Sequence, residues 1–338
     1  MNLLLLQLKR IGDLILTVPA ITAVRKNFPS AKISLIVAHG SRELLPAIPG
    51  VNRTFIARGR VTDATQWIAL AASKFDYCLD FSRTDRSAFL TLLSGASRRI
   101  TYDTIRRQPL RQLSYNEFVP SNVRSLHTVD HHLELLAPLG VHDVSPEIRL
   151  VLPHAAKARA DAFIANHGLG GNFIIFHPGS ARTEKFWVAR RWAEVANQLS
   201  GSEETRVVLT GGKSMMEQDH IARIKSHLQS PVVDLSGQLD LLTLAALIAR
   251  ARLLVTIDSA PMHLAGALGT PQLALFGPTN PYHWRPRATS AIVLQAGKVD
   301  PVTHFVPQQP PCAMKEISTE QVIDAMQTLL SSPAAPVA

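Results

Sequence analysis

The turn near the N-terminus combines a glycine and an acid where a strand pattern changes to a helix pattern. Residues 3–8 are an apolar run that predicts a buried strand, and the spacing of apolar residues over 14–27 predicts a helix. Gly12 permits a tight turn and close approach of the backbone to a ligand. Asp13 could be the N-cap of the helix, or a general base that takes the proton from an acceptor hydroxyl. The two roles are compatible, because a cap would fix the direction of the side chain.

A second turn places polar side chains at the start of a helix in the C-terminal half. The strand pattern of residues 253–257 leads to Ser259, and then to a helix that Pro261 opens and Gly269 ends. A helix N-terminus presents free N–H groups and a positive dipole, which suit a diphosphate. Ser259 adds a hydroxyl donor, and His263 in the first turn is either a ligand contact or a structural histidine. The turn therefore predicts an anion site.

The loop after the strand pattern of residues 173–177 has the composition of an anion-binding loop. Small residues at 179–181 precede Lys185, whose ammonium could neutralise the charge that develops on a departing diphosphate. A single lysine is also typical of solvated surface, so the loop by itself leaves both interpretations open.

Several familiar motifs are incomplete. Residues 211–214 resemble the end of a phosphate-binding P-loop, but Val207 stands where the first glycine should be. No strand pattern is followed by GxGxxG, so nicotinamide binding is not supported. The adjacent His131 and His132 would point to different faces of a helix, and we interpret them as solvated. With no HExxH or comparable spacing, the sequence predicts no metal site.

The chain is strongly basic, and its charge is concentrated in one stretch. The formal net charge is +9, and residues 83–111 hold seven arginines against two aspartates. This stretch is either a solvated basic face or a surface for polyanions. No nucleic-acid-binding signature accompanies it, and aromatic residues are only 6% of the chain, too few for base-stacking platforms. We therefore expect phosphorylated substrates or anionic lipid as partners, and no nucleic acid.

Strand and helix patterns alternate along the chain, which predicts an α/β protein with mostly parallel sheets. The predicted strands are residues 3–8, 32–38, 77–81, 173–177, 206–210, 232–234, 253–257 and 272–276. The predicted helices are residues 14–27, 65–73, 86–94, 128–139, 188–199, 216–227, 241–251, 261–268 and 319–330. Ser318 and Gln321 can form a capping box for the last of these helices.

The alternating pattern thins over residues 138–153, which predicts a domain boundary there. The sequence thus predicts two Rossmann-like, doubly wound domains, residues 1–153 and 154–338, with a cleft at the carboxyl ends of both sheets. The last helix could pack back on the first domain.

The N-terminal apolar run and the cysteines indicate the compartment. The uninterrupted leucines at 3–6 are too few for a signal-peptide core or a membrane span. Cys78 and Cys312 are far apart and lack a CxxC partner, which argues against a disulfide framework and fits a reducing cytosol. We expect a cytoplasmic protein that is soluble or peripheral on a membrane.

Four segments give the chain a family resemblance over nearly its whole length. They are LLLQLKRIGDLILTVPAITAVRKNFPSAKISLIV (3–37), DFSRTDRSAFLTLLSGASRRITY (80–102), FHPGSARTEKFW (176–187) and DLSGQLDLLTLAALIARARLLVTIDSAPMHLAGALGTPQLALFGPTNPYHW (234–284). In these segments the chain resembles glycosyltransferase family 9, the ADP-heptose:lipopolysaccharide heptosyltransferases. The segment HTVDHHLELLAPLG and the HPGS loop lean toward the branch of the third core heptosyltransferase. The resemblance implies a GT-B fold, inversion at the anomeric carbon, and no obligatory metal or other cofactor.

The resemblance also implies roles for particular residues. It makes Asp13 the catalytic base and Lys185 the contact to the diphosphate of the donor. The donor-binding residues that it implies are Gly12, Ser180, Lys185, Glu217 (a loose match to the acid that binds the donor ribose), Asp258, Ser259, Ala260 and His263. Many members have glycine where this chain has Ala260, and the extra methyl could narrow the approach of the diphosphate to the backbone. Acceptor phosphates and the anionic membrane surface are expected to face Arg83, Arg86, Arg98 and Arg99.

The resemblance implies transfer of heptose from ADP-heptose to the lipopolysaccharide core on lipid A. Two alternatives stay open from the sequence. The first is another nucleotide-sugar enzyme of the same fold, either a transferase or an epimerase that needs no acceptor. The second is a non-catalytic anion- or lipid-binding protein, against which the presence of Asp13, Lys185 and His263 speaks.

Overall fold

The computed structural model describes residues 1–58, 63–142, 144–199, 205–287 and 290–331. The chain divides into two compact units, Met1–Val151 and Leu152–Ala338. In the described residues, each unit is built on one six-stranded parallel sheet with helices between its strands. The predicted doubly wound α/β fold class is thereby confirmed for each unit.

The sheet of the first unit is centred on the N-terminal strand. Its strands are β1 (Asn2–Gln7), β2 (Lys32–Ala38), β3 (Arg53–Ala57), β4 (Tyr77–Asp80), β5 (Arg98–Tyr102) and β6 (Glu117–Val119). They pair in the order β3-β2-β1-β4-β5-β6. Leu3, Leu4 and Leu5 are fully buried, as expected for a parallel strand that is covered on both faces.

The strand order of this sheet reverses beside β1. The chain runs from β1 outward to β2 and β3, and then returns to β4 on the other side of β1. The connections after β1 and β4 therefore leave the sheet in opposite directions, which opens a crevice at their carboxyl ends. The helices of this unit are α1 (Ile11–Asn27), α2 (Ala64–Ala71), α3 (Asp85–Leu93), α4 (Pro109–Gln112) and α5 (Thr128–Glu134).

The second unit repeats this arrangement. Its strands are β7 (Phe173–His177), β8 (Arg206–Leu209), β9 (Val233–Asp234), β10 (Leu253–Ile257), β11 (Gln272–Phe276) and β12 (Ala291–Gln295). The order β12-β11-β10-β7-β8-β9 reverses between β7 and β10, so the crevice lies after these two strands. The helices are α6 (His154–Asn166), α7 (Ala189–Leu199), α8 (Met215–Lys225), α9 (Leu241–Ile248), α10 (Ala260–Leu268), α11 (Pro281–Trp284) and α12 (Thr319–Ser331).

Helix ends follow the predicted signals in two places. Pro261 stands in the first turn of α10, and Gly269 ends the helix with a left-handed φ of 75°. Before α12, the Ser318 backbone N–H donates to Oε1 of Gln321 at 2.9 Å, and the Gln321 N–H donates back to Ser318 Oγ at 3.2 Å. This confirms the predicted capping box. Helix α12 packs against α7, β11 and β12 of its own unit.

Some elements were not predicted. The strands β3, β5, β6 and β12 lie outside the sheet centres, and β3 and β5 begin with arginines instead of an apolar run. In α6, only Ala156 and Ala160 are buried, so its apolar stripe is weak. The helix predicted over 128–139 ends at Glu134 and gives way to a 3-10 turn at Ala137–Leu139, because Pro138 cannot continue an α-helix. None of the described helices is both long and apolar enough to cross a membrane.

Candidate active site

The residues predicted to carry chemistry lie mainly at the two switch points. In the first unit, Asp13 is in the first turn of α1, shortly after β1, and Arg83 follows β4. In the second unit, Lys185 is in the loop after β7, and Asp258 directly follows β10. Each unit therefore gathers charged side chains where doubly wound folds bind their ligands.

Asp13 is the third residue of α1, and its side chain is half-buried. The N-cap residue is Arg10, and it makes no side-chain capping bond, so the interpretation of Asp13 as an N-cap is wrong. Burial raises the pKa of Asp13 above its ordinary value, while the positive charges of Lys9 and Arg10 oppose the shift. A carboxylate with a raised pKa is a better proton acceptor than an exposed one.

Lys9 belongs to the same cluster, although the sequence did not single it out. Burial lowers the pKa of Lys9, Asp13 and Asp80 act in the opposite direction, and Arg83 lowers it further. Two acids and two cations thus share one poorly solvated environment after β1 and β4. The only sequence signal for Lys9 was its position in the short connection that also carries Asp13.

The backbone of Arg83 is held in an uncommon conformation. Its φ of 59° lies in the left-handed region, which is sparsely populated by arginine. The buried Asp80 accepts a hydrogen bond from the Arg83 N–H at 3.3 Å and another from the Tyr115 hydroxyl at 2.6 Å. The guanidinium donates to Thr104 Oγ1 at 2.9 Å and lies over the Tyr102 ring. Asp80 therefore fixes the turn, and the turn fixes Arg83 at the carboxyl edge of the sheet.

The four arginines predicted as one acceptor-binding set are split between two edges of the sheet. Arg86 is exposed in the first turn of α3, at the same edge as Arg83. Arg98 and Arg99 begin β5 and so lie at the opposite, amino edge. There Arg98 pairs with Glu117 at 2.7 Å, and Arg99 donates to the Ser114 carbonyl at 2.9 Å. These two side chains hold neighbouring segments of their own unit together.

His131 and His132 are buried, so their interpretation as solvated is wrong. Each is only 3% exposed, and burial lowers the pKa of each to about 3. His131 stacks on Tyr102 with ring centroids 3.9 Å apart. His132 Nδ1 lies 3.1 Å from Thr17 Oγ1, and that hydroxyl donates to the Asp13 carbonyl at 2.7 Å. His132 thus supports the first turn of α1 through Thr17.

The second unit contains a nearly buried ion pair at its switch point. Lys185 Nζ donates to Asp258 Oδ2 at 2.6 Å and to the Asp258 carbonyl at 3.2 Å. Thr279, in the loop after β11, donates its hydroxyl to the same Oδ2 at 2.6 Å. The Lys185 and Asp258 side chains are 11% and 10% exposed, so the interpretation of Lys185 as solvated surface is wrong. Thr279 was missed, and its place after a neighbouring strand was the only available signal.

The start of α10 lies next to this ion pair. Ser259 is the N-cap residue but makes no side-chain capping bond; its hydroxyl lies 3.3 Å from Thr256 Oγ1. Ala260 is the first helical residue, half-exposed. His263 is buried, and burial lowers its pKa to about 4, with Asp258 opposing and Lys185 reinforcing the shift. A neutral His263, the free N–H groups of α10 and Lys185 form a surface suited to an anion.

Glu217 is packed between two glycine loops. A Cβ at Gly179, after β7, would lie 2.2 Å from Glu217 Oε1, and one at Gly212, after β8, would lie 2.3 Å from Oε2. Ser214 Oγ donates to Oε2 at 2.8 Å. The glycines are therefore needed for the close approach of this carboxylate, which is brought to the same edge as Ser180, a buried residue of the loop after β7. In the residues that the structure describes, no group of three or more His, Cys, Asp or Glu side chains could hold a metal ion.

Comparison with known proteins identifies the family. The sequence model of glycosyltransferase family 9 (heptosyltransferase) matches residues 65–310 of the chain. The chain belongs to glycosyltransferase family 9. It is similar to lipopolysaccharide heptosyltransferase 3 of Escherichia coli, with 29% identity over 85% of this chain and 86% of that protein. This supports the resemblance to the third-heptosyltransferase branch.

Solved structures of family members share the architecture of this glycosyltransferase. The crystal structure of the family 9 glycosyltransferase from Veillonella parvula has a TM-score of 0.84 and 26% identity, covering 97% of both chains. The Escherichia coli heptosyltransferase WaaC with ADP-2-deoxy-2-fluoro heptose has a TM-score of 0.73 and 22% identity, covering 97% of this chain and 99% of that one. These likenesses establish the GT-B fold class.

Proposed function

We propose that this glycosyltransferase moves heptose from ADP-heptose to the inner core of lipopolysaccharide, with inversion at the anomeric carbon. We further propose that it acts in the cytoplasm as a peripheral protein on the inner membrane, and that it needs no metal or other cofactor. The observation that carries the proposal is the ion pair of Lys185 and Asp258 beside the start of α10. A nearly buried cation next to a helix N-terminus is suited to a diphosphate leaving group, which supports the proposal.

Asp13 would act as the base. It would take the proton from the acceptor hydroxyl while the hydroxyl oxygen forms a bond to the anomeric carbon from the face opposite the diphosphate. The carbon–oxygen bond to the diphosphate breaks in the same step, and its electron pair leaves with ADP. The raised pKa of Asp13 supports this role, and a positioned base typically contributes about 10²–10⁴-fold to the rate.

The loops of the second unit would bind the donor. Lys185 and the first N–H groups of α10 would stabilise negative charge on the departing diphosphate, with Ser180 and Ser259 as further donors. Asp258 holds the ammonium of Lys185 in place through its 2.6 Å contact. Glu217, with its carboxylate fixed between the loops after β7 and β8, would accept hydrogen bonds from the donor ribose.

The acceptor would bind at the carboxyl edge of the first sheet. Arg83 and Arg86 lie at this edge and would contact phosphates of the core, with Gly12 allowing close approach to the backbone. Arg98 and Arg99, which the sequence placed in the same set, lie at the opposite edge of the sheet. We therefore assign them to the stability of the unit instead of the acceptor.

The first test is thermal stabilisation of the purified protein by ADP, UDP, GDP and NAD at matched concentrations. Selective stabilisation by ADP supports the adenylate-linked donor. Transfer from ADP-heptose to heptose-deficient lipopolysaccharide, with and without a chelator, then tests the reaction and the absence of a metal requirement. Preference for UDP or GDP would move the donor away from heptose. Release of free sugar without acceptor would favour an epimerase or hydrolase.

A further inference from the structure

Two neighbouring helices of the first unit expose large apolar side chains. Phe89 and Leu92 on α3 are 58% and 54% exposed, and Leu110 and Leu113 at α4 are 86% and 70% exposed. Phe89 and Leu92 are three positions apart, so they lie on the same side of α3. Leu110 and Leu113 have the same spacing, with Leu113 as the C-cap residue of α4. Helix α3 packs against α4. We call these four residues the exposed apolar face.

The inner side of α3 is buried, whereas α4 has no buried residue. Ala88 of α3 is buried in a cluster with Ile105 and Tyr115, and Phe118 packs against that cluster. An ion pair between Arg111 and Asp85 also links α4 to the start of α3. Helix α3 is therefore fixed by its inner face and α4 is linked to it by the ion pair, and the four outward side chains take no part in the buried cluster or in the ion pair.

Three exposed arginines lie close in sequence to the exposed apolar face. Arg86 precedes Phe89 on α3, and Arg106 and Arg107 precede α4; all three are exposed. Arg106 lies over the Phe118 ring. In the described parts of the chain, no carboxylate forms a salt bridge with Arg86, Arg106 or Arg107. Such a surface is complementary to an anionic bilayer. The apolar side chains can be buried among acyl chains, while the arginines, which have no salt-bridge partner among the described residues, are attracted to the negative head groups.

This surface lies beside the proposed acceptor site. Both α3 and α4 follow the carboxyl ends of their strands, β4 and β5, and Arg83 is in the connection from β4 to α3. The Arg111 guanidinium also donates to the Arg83 carbonyl at 3.4 Å. A protein seated on a bilayer through this surface would hold Arg83 near head-group level, where the sugar core of a membrane-anchored acceptor begins.

We infer that the exposed apolar face and its three arginines form a docking surface for an anionic lipid bilayer, in which Phe89, Leu92, Leu110 and Leu113 insert among the lipids. The choice of a bilayer next to the acceptor site rests on the proposed function. A second copy of the chain is the competing occupant, but the arginines would then face one another across a two-fold contact, where like charges repel.

The test is sedimentation with vesicles that contain phosphatidylglycerol, compared with vesicles of phosphatidylcholine alone. We expect the wild-type protein to bind the anionic vesicles selectively. The variant Phe89→Ser/Leu110→Ser should bind at least about tenfold more weakly, and Arg107→Gln about fivefold more weakly, the change for one cation near an anionic surface. Val299→Ser, which changes a side chain 83% exposed on the second unit, is the matched control and should bind like wild type.

Transfer assays separate this inference from the proposed function. With a deacylated, water-soluble acceptor, Phe89→Ser/Leu110→Ser should keep wild-type kcat and KM, whereas with acceptor embedded in vesicles its rate should fall with its binding. Equal binding of wild type to both vesicle types, or equal binding of the double variant and wild type, would overturn the docking surface. So would a wild-type dimer that the double variant dissociates. Selective vesicle binding without transfer to either acceptor would leave the docking surface standing and reject the proposed function.

Discussion

Lys185 Nζ lies 2.6 Å from Oδ2 of Asp258, and the two side chains come from loops after adjacent parallel strands, β7 and β10. The Thr279 hydroxyl donates to the same carboxylate oxygen. Because both charged side chains are nearly buried, neither is well solvated without the other. The ion pair therefore both stabilises the switch point and holds an ammonium ready for an anion.

Replacing Lys185 by methionine should separate these two effects. Lys185→Met leaves Asp258 as an unpaired buried carboxylate, and we expect a loss of about 3–5 kcal/mol in the free energy of unfolding. Turnover should fall by roughly 10²–10³-fold, as for loss of one group that stabilises a developing negative charge. The double variant Lys185→Met/Asp258→Asn should recover most of the stability, measured by urea unfolding, without recovering kcat. Recovery of both would show that Lys185 acts only through stability.

Asp13 should show the opposite relation between stability and activity. Its raised pKa means that the ionised form is disfavoured in the folded protein, so its contribution to stability falls as pH rises through the interval between the unfolded and folded pKa values. Asp13→Asn should therefore melt at an equal or higher temperature than wild type at neutral pH. The same variant should lose roughly 10²–10⁴-fold in kcat. Full turnover in Asp13→Asn would remove this residue from the role of base.

The sequence predicted the centre of each sheet better than its margins. The buried strands β1, β2, β7, β10 and β11 are apolar runs with clear ends, and the segments that follow three of them carry Asp13, Lys185 and Asp258. Chemistry-bearing residues in short loops after central strands can therefore be placed from sequence alone. Strand β5 was missed because it begins with Arg98 and Arg99, and with it the fact that these arginines lie at the far edge.

Burial was the property that the sequence predicted least well. His131 and His132 look like surface residues beside Asp130, yet tertiary neighbours bury them. Thr279 has no motif of its own, and only the folded positions of β10 and β11 bring it beside Asp258. Lys9 is four residues from Asp13, but only the pairing of β1 with β4 brings it near Asp80 and Arg83. Such contacts depend on distant parts of the chain, and no local pattern reports them.

The glycine at 179 should affect donor binding through Glu217. In Gly179→Ala the new methyl would overlap Glu217 Oε1, so the carboxylate must move. We expect the KM for ADP-heptose to rise about tenfold, which corresponds to the loss of one charge-assisted hydrogen bond, while kcat changes little. Gly171→Ala is the matched control, because a Cβ there meets nothing within 4 Å. An unchanged KM in Gly179→Ala would separate Glu217 from the donor.

Arg83 and Arg98 should respond differently to loss of charge. Arg83→Gln removes a guanidinium at the carboxyl edge, and the KM for a phosphorylated acceptor should rise about tenfold. Arg98→Gln breaks a half-exposed pair with Glu117, so it should cost only about 0.2–1 kcal/mol in stability and leave that KM unchanged. The KM of each variant can be measured with the deacylated acceptor. Equal effects of the two substitutions on KM would show that Arg83 and Arg98 both bind the acceptor, as the sequence predicted.

The buried histidines should make the first unit sensitive to acid. His131 and His132 are neutral in the folded protein because burial lowers the pKa of each from 6.5 to about 3. The unfolded chain therefore binds more protons than the folded one between these values, and the free energy of unfolding must fall as pH drops below 6.5. His132→Gln removes one such group, so its stability should decline less steeply with acid than that of wild type. Urea unfolding at a series of pH values measures how steeply the stability of wild type and of His132→Gln changes with pH.

The exposed His154 provides the control His154→Gln, which should keep the wild-type slope. If His132→Gln also kept that slope, a charged histidine would have to exist in the folded state, and the support of the Asp13 turn through Thr17 would need another explanation.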